Sequence, residues 1–279
     1  MSETLPAWSE PFAEPRRELR RSLRVRGVTR AWAWGGSTGA GVRVGIIDSG
    51  LENDHPMLHG RVVENVTVEI GEDGPVVVPD GPVDMYGHGT ACGAIILGLA
   101  PHVELVSIRV LGADLRGKGT AFAAGLDWAI EQGLQVCNLS LSSKSESLYP
   151  IFHDLADRAY FRGMALISAA NNVPAPSYPS LFSSVFSVAA HGEPDPRRIY
   201  YNPAPPVEFG AWGVDVPIAW KDGGSTVATG NSFAAPHVAG LVALILAKHP
   251  GLSPFELKAI LASVADNPGR RRRPAVPRL

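Results

Sequence analysis

The sequence predicts an α/β fold: a doubly wound, mainly parallel β-sheet with helices on both faces. Short apolar runs rich in β-branched residues alternate with segments of helical period along the chain. The runs are apolar on both faces, as expected of parallel strands covered on both sides. The 279 residues are 45% apolar. Because no repeat of roughly 20 to 50 residues is visible, one α/β domain is the economical interpretation.

The individual elements follow from this alternation. A last helix is predicted after Ser253, where Pro254 and Glu256 complete an N-cap, a first-turn proline and a capping box. The preceding elements are predicted, in order, as strand 42–48, helix 88–98, strand 103–111, helix 120–132, strand 135–141, a helix near 149–162, strands 164–170 and 183–190, and a helix opened by Ser232.

Polar side chains stand where several predicted strands end. Asp48 ends the first strand, Ser140 and Ser142 end the strand at 135–141, and Asn171 and Asn172 follow the strand at 164–170. In doubly wound sheets, ligands bind beyond the carboxyl ends of the strands. We therefore expect these side chains to meet at one functional site.

Three short stretches supply the groups that nucleophilic catalysis needs. "DSG" at 48–50 offers a carboxylate, "GHGT" at 87–90 an imidazole, and "GNS" at 230–232 a hydroxyl. A lone serine at a helix start is usually only a cap. Together with a base and an acid, however, it is typical of an activated nucleophile.

The stretches "IIDSGLENDHP", "YGHGTACGAI" and "TGNSFAAPHVAGLVALI" resemble the three signatures of the subtilisin-like serine proteases, from about 30 to 265. The resemblance implies a triad of Asp48, His88 and Ser232, although the serine signature reads "GNSF" rather than the usual "GTSM". In "SAANN", Asn172 falls on the family's oxyanion donor. A slip of one residue would make Asn171 the donor, and the two asparagines could instead cap a loop.

In this family two extended segments pair with the substrate backbone, and they correspond to "LRGKG" at 115–119 and "SLS" at 140–142. Ser142 and Asn171 stand where the family usually has glycine. We therefore expect a narrower or more polar pocket for the residue before the cleaved bond. The predicted substrate-binding residues are Leu115, Arg116, Gly117, Ser140, Leu141, Ser142 and Asn171.

No metal ligand and no organic cofactor are predicted. The family's calcium-binding members carry a carboxylate where this chain has Met57, and an insertion in the helix after the histidine, which is missing here. The usual strong calcium site is therefore expected to be absent. Glu72, Asp73 and Asp80 could form another calcium site, but a flexible acidic loop is the preferred interpretation.

Cys92 follows His88 by four residues and so lies on about the same helix face. A subgroup of the family carries a cysteine under the triad at this place. A small core hydrophobe is the favoured interpretation over a chemical role.

Charge separates the ends of the chain from its body. Residues 1–30 carry seven arginines and 270–279 five, whereas 31–269 has 13 basic and 23 acidic residues. We expect an Arg-rich extension at 1–30, which could be a short propeptide, a catalytic domain at 31–268 and a disordered basic tail at 269–279. The basic ends are interpreted as solvated tails, or 16–26 as a regulator lying on the acidic core; nucleic-acid binding is not favoured.

Other features indicate a cytoplasmic protein. The N-terminus lacks a basic start followed by an apolar core, and no apolar run of about 18 to 20 residues is evident. Only two cysteines occur. The expected function is a serine endopeptidase that performs limited processing of intracellular precursor peptides or proteins. The alternative is an inactive peptide-binding module of the same fold.

Overall fold

A computed structural model describes residues 5–13, 26–204 and 206–267. Within these residues a nine-stranded sheet runs in the order β3-β2-β4-β1-β5-β6-β7-β9-β8, and β10 pairs with β11 in a separate hairpin. Neighbours from β2 to β9 are parallel, while β3 and β8 pair antiparallel at the two edges. The strands are β1 Arg43–Asp48, β2 Val62–Gly71, β3 Gly74–Pro79, β4 Glu104–Arg109, β5 Val136–Leu139, β6 Ala165–Ala169, β7 Phe186–His191, β8 Tyr200–Tyr201, β9 Phe209–Trp212, β10 Val216–Trp220 and β11 Gly224–Ala228.

Helices cover both faces of the sheet, which confirms the predicted doubly wound fold. The helices are α1 Glu10–Ala13, α2 Arg30–Trp34, α3 His88–Leu99, α4 Gly119–Glu131, α5 Tyr149–Phe161, α6 Asn231–Lys248 and α7 Pro254–Val264. One hydrophobic cluster joins α3, α6 and α7 to one face of the sheet, and a second joins α4 and α5 to the other.

Strand β1 lies at the centre of this arrangement, between β4 and β5. Val44 and Ile46 belong to one hydrophobic cluster and Ile47 to the other, so both faces of the strand are buried. The next three strands of the chain, β2 to β4, lie on one side of β1, and β5 to β9 lie on the other. Asp48, the last residue of β1, therefore stands at the point where the strand order reverses, the usual ligand site of such sheets.

Helix α6 is the central helix of the fold. Its 18 residues and mean hydropathy of 1.3 would allow it to cross a membrane, although Ser232 and His237 interrupt its apolar residues. However, 83% of the helix is buried inside the protein. The core helix of a globular fold can have the same length and hydropathy. No membrane role follows from this helix.

The expectation of a flexible acidic loop at Glu72, Asp73 and Asp80 was wrong. Strands β2 and β3 form an antiparallel hairpin at one edge of the sheet, with Thr67 opposite Val78. Asp80, which follows β3, forms a bidentate ion pair with Arg109 at 2.6 and 2.9 Å. Asp80 is therefore engaged by a guanidinium rather than grouped with Glu72 and Asp73.

The predicted α7 is confirmed together with its capping box, in which Ser253 and Glu256 bond reciprocally across the helix start. Helix α6 begins at Asn231, one residue earlier than expected. Residues 16–25 of the proposed regulator and the tail at 269–279 lie outside the described residues.

Candidate active site

The imidazole of His88 is held by the carboxylate of Asp48, with Nδ1 lying 2.9 Å from each carboxylate oxygen. Asp48 is fully buried and also accepts a 2.8 Å hydrogen bond from the backbone N–H of Ser49. A buried carboxylate is stable only where donors surround it. The arrangement keeps the proton on Nδ1 and leaves Nε2 as the free acceptor.

Asp84, which the sequence analysis missed, organises the start of α3. Its Oδ1 accepts hydrogen bonds from the N–H groups of Tyr86 and Gly87 at 3.0 and 2.7 Å and from the Ser49 hydroxyl at 2.7 Å. Its Oδ2 accepts from the N–H and the hydroxyl of Thr90, each at 2.7 Å. The N-cap itself is Gly87, which has no side chain, so Asp84 supplies the capping oxygens from three residues earlier, a position that carries no local signal of this role.

Ser232 lies in the first turn of α6, where the N–H groups of the helix create positive potential. Its hydroxyl and the imidazole of His88 line the same cleft. Among the hydrogen bonds of the described residues, none joins these two groups. Such bonds are often long in unliganded enzymes and tighten when substrate binds.

The side chain of Asn172 is oriented by α6, the helix that carries Ser232. Its Oδ1 accepts a 2.8 Å hydrogen bond from the N–H of Asn231, so its Nδ2 is left as a donor. A Cβ added at Gly230 would lie 3.6 Å from this Nδ2 and 3.2 Å from Ser232 Oγ, so both groups border one small space. Asn171 instead accepts from the N–H of Val173 at 3.1 Å, as a loop cap does. The geometry favours Asn172 over Asn171 as the donor.

All the predicted substrate-binding residues border one cleft of about 480 Å³, together with His88, Ser232 and Asn172. No residue of 115–119 or 140–142 is in a strand of the described structure, so these two cleft walls are free to pair with an added chain. Lys118 and Gly119 complete the predicted 115–119 segment, and the lining residues that the sequence analysis did not single out are Leu111, Phe122, Ser143, Ala169 and Ala170.

Ser140 contributes to the site in a way that its sequence position did not indicate. Its hydroxyl donates a 2.7 Å hydrogen bond to the backbone carbonyl of Ser232 and accepts one from Asn138 Nδ2 at 2.9 Å. The side chain is 8% exposed. Ser140 therefore fixes the backbone that carries the Ser232 hydroxyl.

Cys92 lies beneath this constellation. Its Sγ is fully buried, 3.2 Å from Ser140 Oγ, 3.8 Å from the carbonyl of Ser232 and 4.0 Å from Asp48 Oδ2. Burial, together with the charges of Asp48 and Asp84, raises the pKa of this thiol well above its ordinary value. Cys92 is therefore a neutral thiol that packs directly under the reactive groups.

The carboxylates near His88 raise the pKa of its imidazole. Burial lowers the pKa of His88, but the charge and hydrogen bond of Asp48 and the charge of Asp84 outweigh this and raise it above the ordinary value. In contrast, burial lowers the pKa values of His191 and His237 to about 4. These two histidines are therefore neutral residues of the core.

Among the described residues, the only group of His, Cys, Asp or Glu side chains close enough to share a metal ion is Asp48, His88 and Cys92. Two of these three already form the carboxylate–imidazole pair. Met57, on which the expected loss of the calcium site was based, is 42% exposed, and its thioether is a poor ligand for calcium; the absence of that site stays a prediction.

Comparison with known proteins agrees with this geometry. The model of the Subtilase family matches residues 39–276. Subtilisin DY from Bacillus licheniformis is 34% identical over 249 residues, covering 84% of this chain and 87% of the relative. Thermitase from Thermoactinomyces vulgaris is 29% identical over 246 residues, covering 84% of each.

A solved structure supports the same assignment. The crystal structure of a cold adapted subtilisin-like serine proteinase matches with a TM-score of 0.67 and 26% identity, covering 91% of this chain and 93% of that one. The carboxylate–imidazole pair, the cleft and these similarities lead to one conclusion: this chain belongs to the subtilase family and is a subtilisin-like serine endopeptidase.

Proposed function

We propose that Asp48, His88 and Ser232 act as the catalytic triad and that Asn172 donates to the oxyanion. Ser232 Oγ attacks the scissile carbonyl carbon while His88 Nε2 accepts the hydroxyl proton, and Asp48 stabilises the imidazolium. The observation that carries this proposal is the buried Asp48–His88 pair opening onto the cleft that also contains Ser232.

The remaining steps use the same groups. The tetrahedral intermediate bears its negative charge near Asn172 Nδ2 and the N-terminal turn of α6. Collapse breaks the C–N bond as His88 returns its proton to the leaving amine, giving an acyl-enzyme on Ser232. Water, deprotonated by His88, then releases the acid and restores the hydroxyl. We propose that no organic cofactor takes part.

We further propose that the enzyme performs limited processing of intracellular precursor peptides or proteins. The support is indirect. Both cysteines are free and buried, as is usual in a reducing compartment. The cleft walls carry Ser142 and Asn171 in place of the family's glycines, which favours selective rather than broad cleavage.

The first experiment is fluorophosphonate labelling followed by intact-mass measurement. We expect one adduct on the full chain and none on Ser232→Ala, because only an activated hydroxyl reacts. Peptide turnover by Ser232→Ala should fall by about 10⁶-fold in kcat, a magnitude measured on subtilisin, itself a member of this family. A folded full chain that binds peptide but takes no label would instead support the alternative of a non-catalytic peptide-binding module.

The pH dependence of kcat/KM tests the role of His88. His88 must be neutral to accept the Ser232 proton, so activity should be lost as pH falls through its pKa, which Asp48 and Asp84 raise. We expect a single acid limb with its midpoint above the ordinary histidine value. The same limb should appear in the rate of fluorophosphonate labelling, which excludes substrate ionisation. A midpoint below the ordinary value would contradict the proposed electrostatics.

Mercurial inhibition tests the packing beneath the triad. A mercury atom on Cys92 Sγ has no free space beside Ser140 and Asp48 and would displace His88. We expect inhibition of the full chain and of Cys137→Ala, but none of Cys92→Ala. Cys137 is the matched control because it is the other cysteine and is equally buried. Inhibition that persists in Cys92→Ala would place the sensitive group elsewhere.

Peptide profiling tests the pocket for the residue before the cleaved bond. We expect a preference for small or polar side chains in the full chain. Ser142→Gly and Asn171→Gly should raise cleavage after large aromatic residues by roughly 10-fold relative to cleavage after small ones. Removing either side chain enlarges the pocket, and a change of about one small group in pocket size alters discrimination by this order. A native preference for large aromatics would refute the proposed pocket.

A further inference from the structure

Residues 5–13, here the N-terminal segment, lie outside the part of the chain that matches the family model, which begins at 39. The segment nevertheless packs on the protein directly behind the oxyanion side of the cleft. Ala7, Ser9 and Phe12 are buried in it, at 7%, 0% and 1% exposure. This degree of burial shows a docked segment rather than a solvated arm.

Two residues of the active site make direct hydrogen bonds to this segment. The N–H of Ala7 donates to the carbonyl of Asn172 at 3.0 Å. The carbonyl of Ala7 accepts from Asn231 Nδ2 at 3.0 Å, and the Ser9 hydroxyl contacts Asn231 Oδ1 at 3.4 Å. The segment thus bridges the proposed oxyanion donor and the residue before the nucleophile.

Asn231 is the centre of this network. Its side chain is fully buried, and Nδ2 also lies 3.2 Å from the carbonyls of Ala170 and Asn171. Its Oδ1 accepts from the N–H of Ala190 at 2.9 Å. Its own backbone N–H holds the Asn172 side chain at 2.8 Å. The backbone and the amide of the donor loop are therefore fixed through one residue.

Phe12 anchors the segment on the sheet. Its ring packs in a cluster with Ala170, Ala189, Tyr200 and Val207. A Cβ added at Gly210 would lie 2.5 Å from the ring, so the seat for Phe12 exists only because β9 has glycine there. Because Ala170 also precedes the donor loop, this apolar anchor and the hydrogen bonds secure the same piece of chain.

We propose that the N-terminal segment is a positioning element of the oxyanion site: by holding Ala7 against Asn172 and Asn231, it keeps the Asn172 amide directed at the space beside Ser232. This inference rests on the proposed role of Asn172. The segment lies behind the cleft and leaves its lining residues open, so it supports catalysis rather than blocking substrate.

The test is a double-mutant cycle in the full chain between Phe12→Ala, which removes the anchor, and Asn172→Ala, which removes the donor. Removing an oxyanion donor costs about 10² to 10³-fold in kcat, a range measured on subtilisin. We expect Phe12→Ala alone to lower kcat about tenfold, with KM within roughly twofold, because the donor acts in the transition state. In the Asn172→Ala background the same change should alter kcat by less than about twofold.

Controls separate positioning from stability. All rates are divided by the fraction of protein that fluorophosphonate labels at the endpoint, so that they refer to active protein only. The acid limb of the pH profile should not move, because none of the segment's described contacts involves His88. Leu257→Ala, a buried truncation on α7 in a different hydrophobic cluster from Phe12, should leave the normalised kcat unchanged. Phe12→Leu should retain most activity, and Gly210→Ala, which displaces the ring without altering the segment, should reproduce the loss.

The outcomes are distinct. If Asn172→Ala leaves kcat unchanged, the proposed oxyanion donor is wrong. If Asn172→Ala is impaired but Phe12→Ala and Gly210→Ala are not, the positioning role alone fails. Equal losses from Phe12→Ala in both backgrounds would likewise overturn the positioning role, because the effect would then not pass through Asn172.

Discussion

The buried carboxylate of Asp48 is the constraint on which the rest of the site depends. A fully buried charge must be met by donors, and Asp48 receives them from Ser49 and from the imidazole of His88. His88 can serve only if α3 starts at that point, and Asp84 ensures this by accepting hydrogen bonds from the helix start. One buried charge thus determines where a strand ends and where a helix begins.

A second set of buried polar contacts does the same for Ser232. The hydroxyl of Ser140, which accepts a hydrogen bond from Asn138, fixes the Ser232 carbonyl. The side-chain amide of Asn172 is held by the backbone N–H of Asn231. In a low-dielectric site such fixed donors are effective because they need no reorganisation when charge develops. The positions of the reacting groups are therefore fixed by neighbouring residues that take no part in the reaction.

Sequence reasoning identified the parts of the site that follow from local pattern. Asp48 ends a buried strand and Ser140 and Asn172 follow two others, and parallel strands bring their carboxyl ends to one edge of the sheet. The hairpin β2–β3 was missed although Val66, Val68 and Ile70 alternate with polar residues in β2, because β3 opens with a glycine and a proline and shows no alternation. The docking of Phe12 on Gly210 could not be predicted, because nearly two hundred residues separate them and neither carries a distinctive local signal.

The departure from the family pattern at Asn231 has a physical counterpart in the N-terminal segment. The family's usual threonine offers one hydroxyl, which donates once and accepts at the same atom, whereas an asparagine amide offers two donors and a separate acceptor oxygen. Asn231 uses them on Ala7, on the carbonyls before Asn172 and on the N–H of Ala190. A threonine could not reach this set of partners. The substitution next to the nucleophile and the docked segment are therefore two halves of one arrangement, and changing either would leave buried polar groups of the other without partners.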